Sequence, residues 1–137
     1  MVVVVWNEDK YDVGVKVFNS HHKRLVDMIN LLHSVSDSNN NINHINLVYK
    51  ELLEYTRYHF DVEEKLMLKY KYENYHVQKL EHQQFIGFLV NSYEKFKKDF
   101  YMIELIELID FLGEWIIAHI LGEDQKYKSF FNKKGVS

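Results

Sequence analysis

NHINLVYKELLEYTRYHFDVEEKLMLKY, residues 43–70, contains neither proline nor glycine. Along it Ile45, Val48, Leu52, Tyr55, His59 and Val62 recur at spacings that keep one stripe of a helix apolar or aromatic, which predicts a long amphipathic helix. His59 and Glu63 lie four residues apart on that helix, so an imidazole and a carboxylate stand about one turn, ~5.4 Å, from each other on one face. Both can reach a common metal ion.

Working outward, three more helices are expected. A first, over 19–38, opens at the N-cap pair Asn19-Ser20 and carries Leu25, Met28, Ile29 and Leu32 on one face, ending in an Asn-rich loop. A third, over 74–97, follows a joint at Tyr72-Glu73-Asn74 and carries Leu80, Phe85, Phe88 and Leu89. A fourth, over 101–121, carries Leu105, Leu108, Leu112, Trp115 and Ile116, with Asp99-Phe100 separating it from the third. Residues 1–18, where Val13, Val15 and Val17 alternate, read as an extended arm, and 122–137 as a short C-terminal segment beyond Gly122. Four amphipathic helices on short links predict an all-α, antiparallel up-down-up-down four-helix bundle in a single domain.

Composition narrows the chemistry. The chain has 137 residues and no cysteine, so thiolate zinc sites, iron–sulfur clusters and thiol nucleophiles are excluded, and any metal must take nitrogen and oxygen ligands. Seventeen basic residues against 20 acidic ones give a formal charge of −3, with no basic run to grip nucleic acid. The apolar start at Val2 to Trp6 is cut short by Glu8, Asp9 and Lys10, so neither a leader nor a membrane span is expected and the reading is a cytoplasmic protein.

Eight histidines occur. Besides His59 and Glu63, the third helix has His82 with Gln78 one turn before it, and the first has His22. The fourth has His119, followed five residues later by Asp124, a spacing that overshoots one face of a regular α-helix and demands a bulge or an early helix end near Gly122. Singly, such residues are more often satisfied core histidines or surface ion pairs. Antiparallel topology lets His22, His59, Glu63, Gln78, His82, His119 and Asp124 share one level. That mixture suits two carboxylate-bridged transition metals, iron or manganese, better than a tetrahedral zinc.

The same residues, in order, resemble the hemerythrin family, in particular its single-domain bacterial members. The match runs through Trp6, Val13-Gly14-Val15, His22-Lys23 with Leu25, His59-Phe60 with Glu63-Glu64 and Met67, His82 with Phe85, and Trp115 with His119-Ile120 and Asp124. The resemblance implies two non-heme iron ions with an oxo or hydroxo bridge, His22 and His59 on one, His82 and His119 on the other, Glu63 and Asp124 bridging. It implies dioxygen as the ligand, in a pocket walled by Leu25, Phe60, Trp115, Ile116 and Ile120, and a binding protein for storage, delivery or sensing rather than an enzyme.

One position departs from the family. It has a histidine four residues before the one matched by His82, and here that residue is Gln78. His76, the nearest substitute, lies two residues away, about 200° around a helix, and only a shift of the helix start would bring it to the site. Gln78 could ligate through its carbonyl oxygen, leave a position to water, or cost the site one metal. The rival readings are therefore a di-iron oxidase or reductase acting on oxygen, peroxide or nitric oxide, and a degenerate bundle that holds one metal or none. His21, His33, His44 and His76 are assigned to the surface or to roles behind the ligands. A monomer is favoured.

Overall fold

A computed structural model of the chain describes residues 4–38, 42–98 and 102–137. Helix α1 spans Lys16–Ser38, α2 Ile42–Tyr70, α3 Tyr75–Lys98 and α4 Met102–His119; a π-helical turn, Ile120–Asp124, continues α4, and a short α5 spans Lys128–Lys133. No strand occurs among the described residues. The long helices pack α1 on α2, α2 on α3, α3 on α4 and α4 on α1, the closed ring of an antiparallel bundle. None of the described helices is long and apolar enough to cross a membrane. The expected separator Asp99-Phe100 falls outside the described residues.

The core runs the length of the bundle. Ile29, Leu32, Ile45, Tyr49, Leu52, Leu89, Ile109 and Leu112 are buried toward the end away from His22, His59, His82 and His119, and His33, expected at the surface or behind the ligands, is buried beside Leu32 there. There Tyr49 stacks on Tyr93 and Phe96, and the Tyr93 hydroxyl donates to Asn46 Oδ1 at 2.7 Å.

The turn between α2 and α3 needs no glycine. Lys71 adopts a left-handed backbone (φ 59), with Tyr72 N–H bonded to Met67 O at 2.9 Å and Lys71 N–H to Leu68 O at 3.2 Å. This is the double bond of a Schellman stop, and buried Tyr72 fastens it to the core.

Two expectations are corrected. The first helix begins at Lys16, not 19, so Asn19 lies in its first turn and caps the arm instead: its Oδ1 accepts from Val13 N–H at 2.9 Å and its Nδ2 donates to Asp12 Oδ1 at 2.8 Å. The arm itself is not uniformly extended. It makes a turn at 7–11, and Val4, Tyr11, Val13 and Val15 are its buried anchors while Val17 is exposed. Second, Leu80 and Phe88 are exposed, because the inner face of α3 is Gln78, His82, Phe85, Leu89 and Phe96. An apolar-stripe reading cannot select a face whose first two members are polar.

The C-terminal segment closes the histidine end. Tyr127 and Phe131 are fully buried against Phe18 and Tyr72. Gln125 Nε2 donates to Asp12 O and Asn132 Nδ2 to Gly14 O, tying this segment to the arm.

Candidate metal centre

Near that end, all four long helices contribute to one buried cluster. On α2 the four-residue spacing places His59 Nε2 2.8 Å from Glu63 Oε1. From α1, His22 Nε2 reaches 3.9 Å from Glu63 Oε2 and 3.2 Å from Asp124 Oδ2. From α3, His82 Nε2 is 3.6 Å from Glu63 Oε1, and Gln78 Nε2 donates to Asp124 Oδ1 at 2.9 Å.

Five residues on a regular α-helix amount to about 140° of rotation from a shared face, which would turn Asp124 away from His119. The π-helical turn removes that error by winding with i→i+5 bonds, and His119 Nε2 comes to 3.1 Å from Asp124 Oδ1. Gly122 thus sits in a bulge and does not end the helix. A Cβ there would meet nothing within 4 Å, so space is not what requires the glycine.

Each carboxylate therefore stands between two groups of histidines. Glu63 faces His59 and His22 on one side and His82 on the other; Asp124 faces His22 on one side and His119 with Gln78 on the other. The ligand atoms of His22, His59 and Glu63 all lie within 4.8 Å of one another. All seven side chains are buried.

The inward atoms are also the unsatisfied ones. Nε2 of His22, His59, His82 and His119, Oε1 of Glu63, Oδ2 of Asp124 and Oε1 of Gln78 are buried without a hydrogen-bond partner. Buried polar atoms are rarely left so, and seven in one cluster mark a place where a cation supplies the missing interaction. Four imidazole nitrogens, two carboxylates and an amide oxygen fit transition-metal ions.

Three of the four outward nitrogens are held, while His22 Nδ1 is buried without a hydrogen-bond partner. His82 Nδ1 faces Glu64 Oε2 at 2.9 Å, His119 Nδ1 faces Glu81 Oε1 at 3.1 Å, and His59 Nδ1 faces His21 Nδ1 at 2.9 Å. Tyr127 Oη, fully buried, donates to Glu63 Oε2 at 2.7 Å, while Oε1 of that carboxylate faces His59 and His82.

The electrostatics follow the packing. Burial pushes His59 down to about 4 despite the pull of Glu63. At His119 burial acts the same way, but the charges of Asp124 and Glu63 and the bond to Glu81 overcome it and raise the group to about 9. Burial opposes ionisation of Asp124 and Glu63, yet the neighbouring histidines hold both below the usual carboxylate range.

Of the expected wall residues, Phe60 stacks on His82 (centroids 3.8 Å, 3°) and Trp115 on His119 (4.7 Å, 15°). Leu25, Ile116 and Ile120 are buried in the core. Phe85 packs on Trp115 with ring centroids 4.4 Å apart. His76 is exposed, with its ring on Tyr75, so Gln78 and not His76 faces the centre.

Sequence reading did not single out Tyr127, Glu64 or Glu81 as supports, and placed His21 only among several histidines. Glu64 and Glu81 sit on the ligand helices beside expected ligands, a signal that was available. Tyr127 lies beyond the fourth helix, and nothing in its spacing to Glu63 announces the contact.

These features define a class: a helical bundle with a buried histidine and carboxylate cation site. The comparisons are more specific. Residues 13–131 match the family model described as the hemerythrin HHE cation binding domain. Curated relatives include the bacteriohemerythrins of Pseudomonas paraeruginosa (33% identical, covering 93% of this chain and 80% of that protein) and Stenotrophomonas maltophilia (31%, 93% and 80%). A crystal structure of wild-type hemerythrin superposes with a TM-score of 0.85 at 25% identity, covering 92% of this chain and 95% of that one. The chain belongs to the hemerythrin family.

Proposed function

We propose that this bundle holds two non-heme iron ions and binds dioxygen between its helices, in the cytoplasm and as a monomer, for storage, delivery or sensing rather than for turnover. His22 and His59 would hold one iron. His82, His119 and the Gln78 amide oxygen would hold the other, and Glu63 and Asp124 would bridge. The observation that carries this reading is the set of seven buried, unpartnered donor atoms that face one another from four helices.

The irons, when bound, supply the electrons that a dioxygen ligand takes up. The chain does the rest. Imidazoles backed by Glu64, Glu81 and His21 present Nε2 inward, and Tyr127 fixes the Glu63 carboxylate, which would bridge the two irons. Leu25, Phe60, Trp115, Ile116 and Ile120 exclude water, which keeps protons away from the ligand and favours its release over one-way oxidation.

Gln78 supports a second reading. Its Nε2 is engaged by Asp124 and its Oε1 is free, so it offers a neutral oxygen where an imidazole would bind iron more strongly. A site weakened there could open a further coordination position and act as an oxidase or reductase on oxygen, peroxide or nitric oxide.

Iron per chain, measured on anaerobically purified protein and followed by visible spectra as air is admitted and withdrawn, separates the two. A carrier or sensor gives two irons and an oxygen-dependent charge-transfer band that returns to baseline under inert gas. A band that bleaches without recovery supports the oxidase, and fewer than two irons removes the di-iron reading.

A further inference from the structure

His21 is the immediate neighbour of His22, yet it faces a different group. Its Nδ1 lies 2.9 Å from Nδ1 of His59, with the two rings 5.0 Å apart and nearly perpendicular at 89°. The imidazole is buried, and Tyr55 and Tyr58 flank it with ring centroids at 5.9 and 5.3 Å. Two nitrogens at that distance share one proton: one must donate and the other accept.

Which is which follows from the other end of His59. Its Nε2 faces Glu63 and has no hydrogen-bond partner, so it is the atom that would give a lone pair to a metal. A neutral His59 with a bare Nε2 carries its proton on Nδ1, which makes His21 Nδ1 the acceptor. His82 and His119 are backed by the carboxylates of Glu64 and Glu81, whereas His59 is backed by an uncharged ring. An uncharged acceptor leaves the ligand imidazole less basic than a carboxylate does.

We propose that His21 is a positioning residue of the metal centre: as a neutral hydrogen-bond acceptor it fixes the tautomer and ring angle of His59, and so sets metal affinity at the His22 and His59 half alone. The proposal rests on the reading of His59 as a ligand. It predicts that the two halves of the centre respond separately to changes behind their histidines.

The test uses the full chain loaded anaerobically with ferrous iron and titrated with a competing chelator, wild type beside His21→Leu, His21→Gln and His59→Ala. His59→Ala identifies which of the two bound irons belongs to this half. His21→Leu removes the acceptor and should weaken the same iron by about tenfold or more, with the other unchanged within about threefold. His21→Gln restores an uncharged acceptor oxygen and should recover most of the loss. Thermal unfolding of each variant without metal supplies the control, and similar midpoints are expected.

The proposal is overturned if Leu and Gln behave alike, if both irons weaken together, or if the loss tracks a fall in metal-free stability, which would make His21 a packing residue. Wild-type protein that keeps no iron, or binds it with His59→Ala unchanged, would instead sink the ligand assignment beneath it.

Discussion

Replacing Tyr127 by Phe removes one oxygen and keeps the ring. That oxygen donates to Glu63 Oε2 at 2.7 Å, between two fully buried groups 64 residues apart in the chain. The ring stays packed by Phe18, Phe131 and Tyr72, with centroids at 5.5, 5.2 and 6.3 Å, so no cavity larger than a hydroxyl is made. What is lost is a bond to an ionised acceptor, about 1.5–3 kcal/mol, and the carboxylate keeps its desolvation cost with one partner fewer. Losing the buried hydroxyl offsets part of this, so we expect about 2 kcal/mol. For a chain of this size that is a fall of roughly 6–10 °C in unfolding midpoint. The assay is urea and thermal unfolding by circular dichroism, wild type against variant, with metal removed by chelator at neutral pH. A loss below about 0.5 kcal/mol would show that Glu63 is satisfied without the phenol and would refute the account of Tyr127 as its anchor.

Stability of the metal-free protein should peak between about pH 6 and 7. His119, raised to about 9, contributes stability that is whole below its ordinary 6.5 and fades as pH climbs to about 9; His59, lowered to about 4, contributes stability that is whole above 6.5 and fades as pH drops to about 4. Each limb is worth about 3 kcal/mol, and urea midpoints that rise steadily to pH 9 would contradict it. Gly14→Ala should cost about 1–2 kcal/mol, because the residue has φ +79 and its new Cβ would sit 2.5 Å from Lys128 Cγ. An unchanged melt would mean that the arm's turn relaxes freely. Gln78→His should raise iron affinity by about tenfold, about 1.4 kcal/mol, in chelator competition, as an imidazole replaces an amide oxygen. No change would place residue 78 out of reach of the metal.

Periodicity alone carried the architecture, because a helix in a bundle must bury one stripe and the stripes of α1, α2 and α4 are written in apolar residues every three or four positions. The pairing of His59 with Glu63 was equally legible, since a spacing of four is a local property of the helix. The other candidate ligands could be named from residue type and order. Their convergence was a matter of topology.

Tertiary structure decided what local rules could not. The buried face of α3 begins with Gln78 and His82, so it shows no apolar signal, and only the packing against the other helices shows that Leu80 and Phe88 point outward. Asp124 reaches His119 because the chain takes a π turn whose cost must be repaid by contacts from distant elements. The supports behind the candidate ligands join residues far apart in sequence: Glu64 with His82, Glu81 with His119, His21 with His59, Tyr127 with Glu63. Hydrogen bonds of that kind depend on where two helices cross and how each side chain leaves its backbone, and a one-dimensional pattern contains neither.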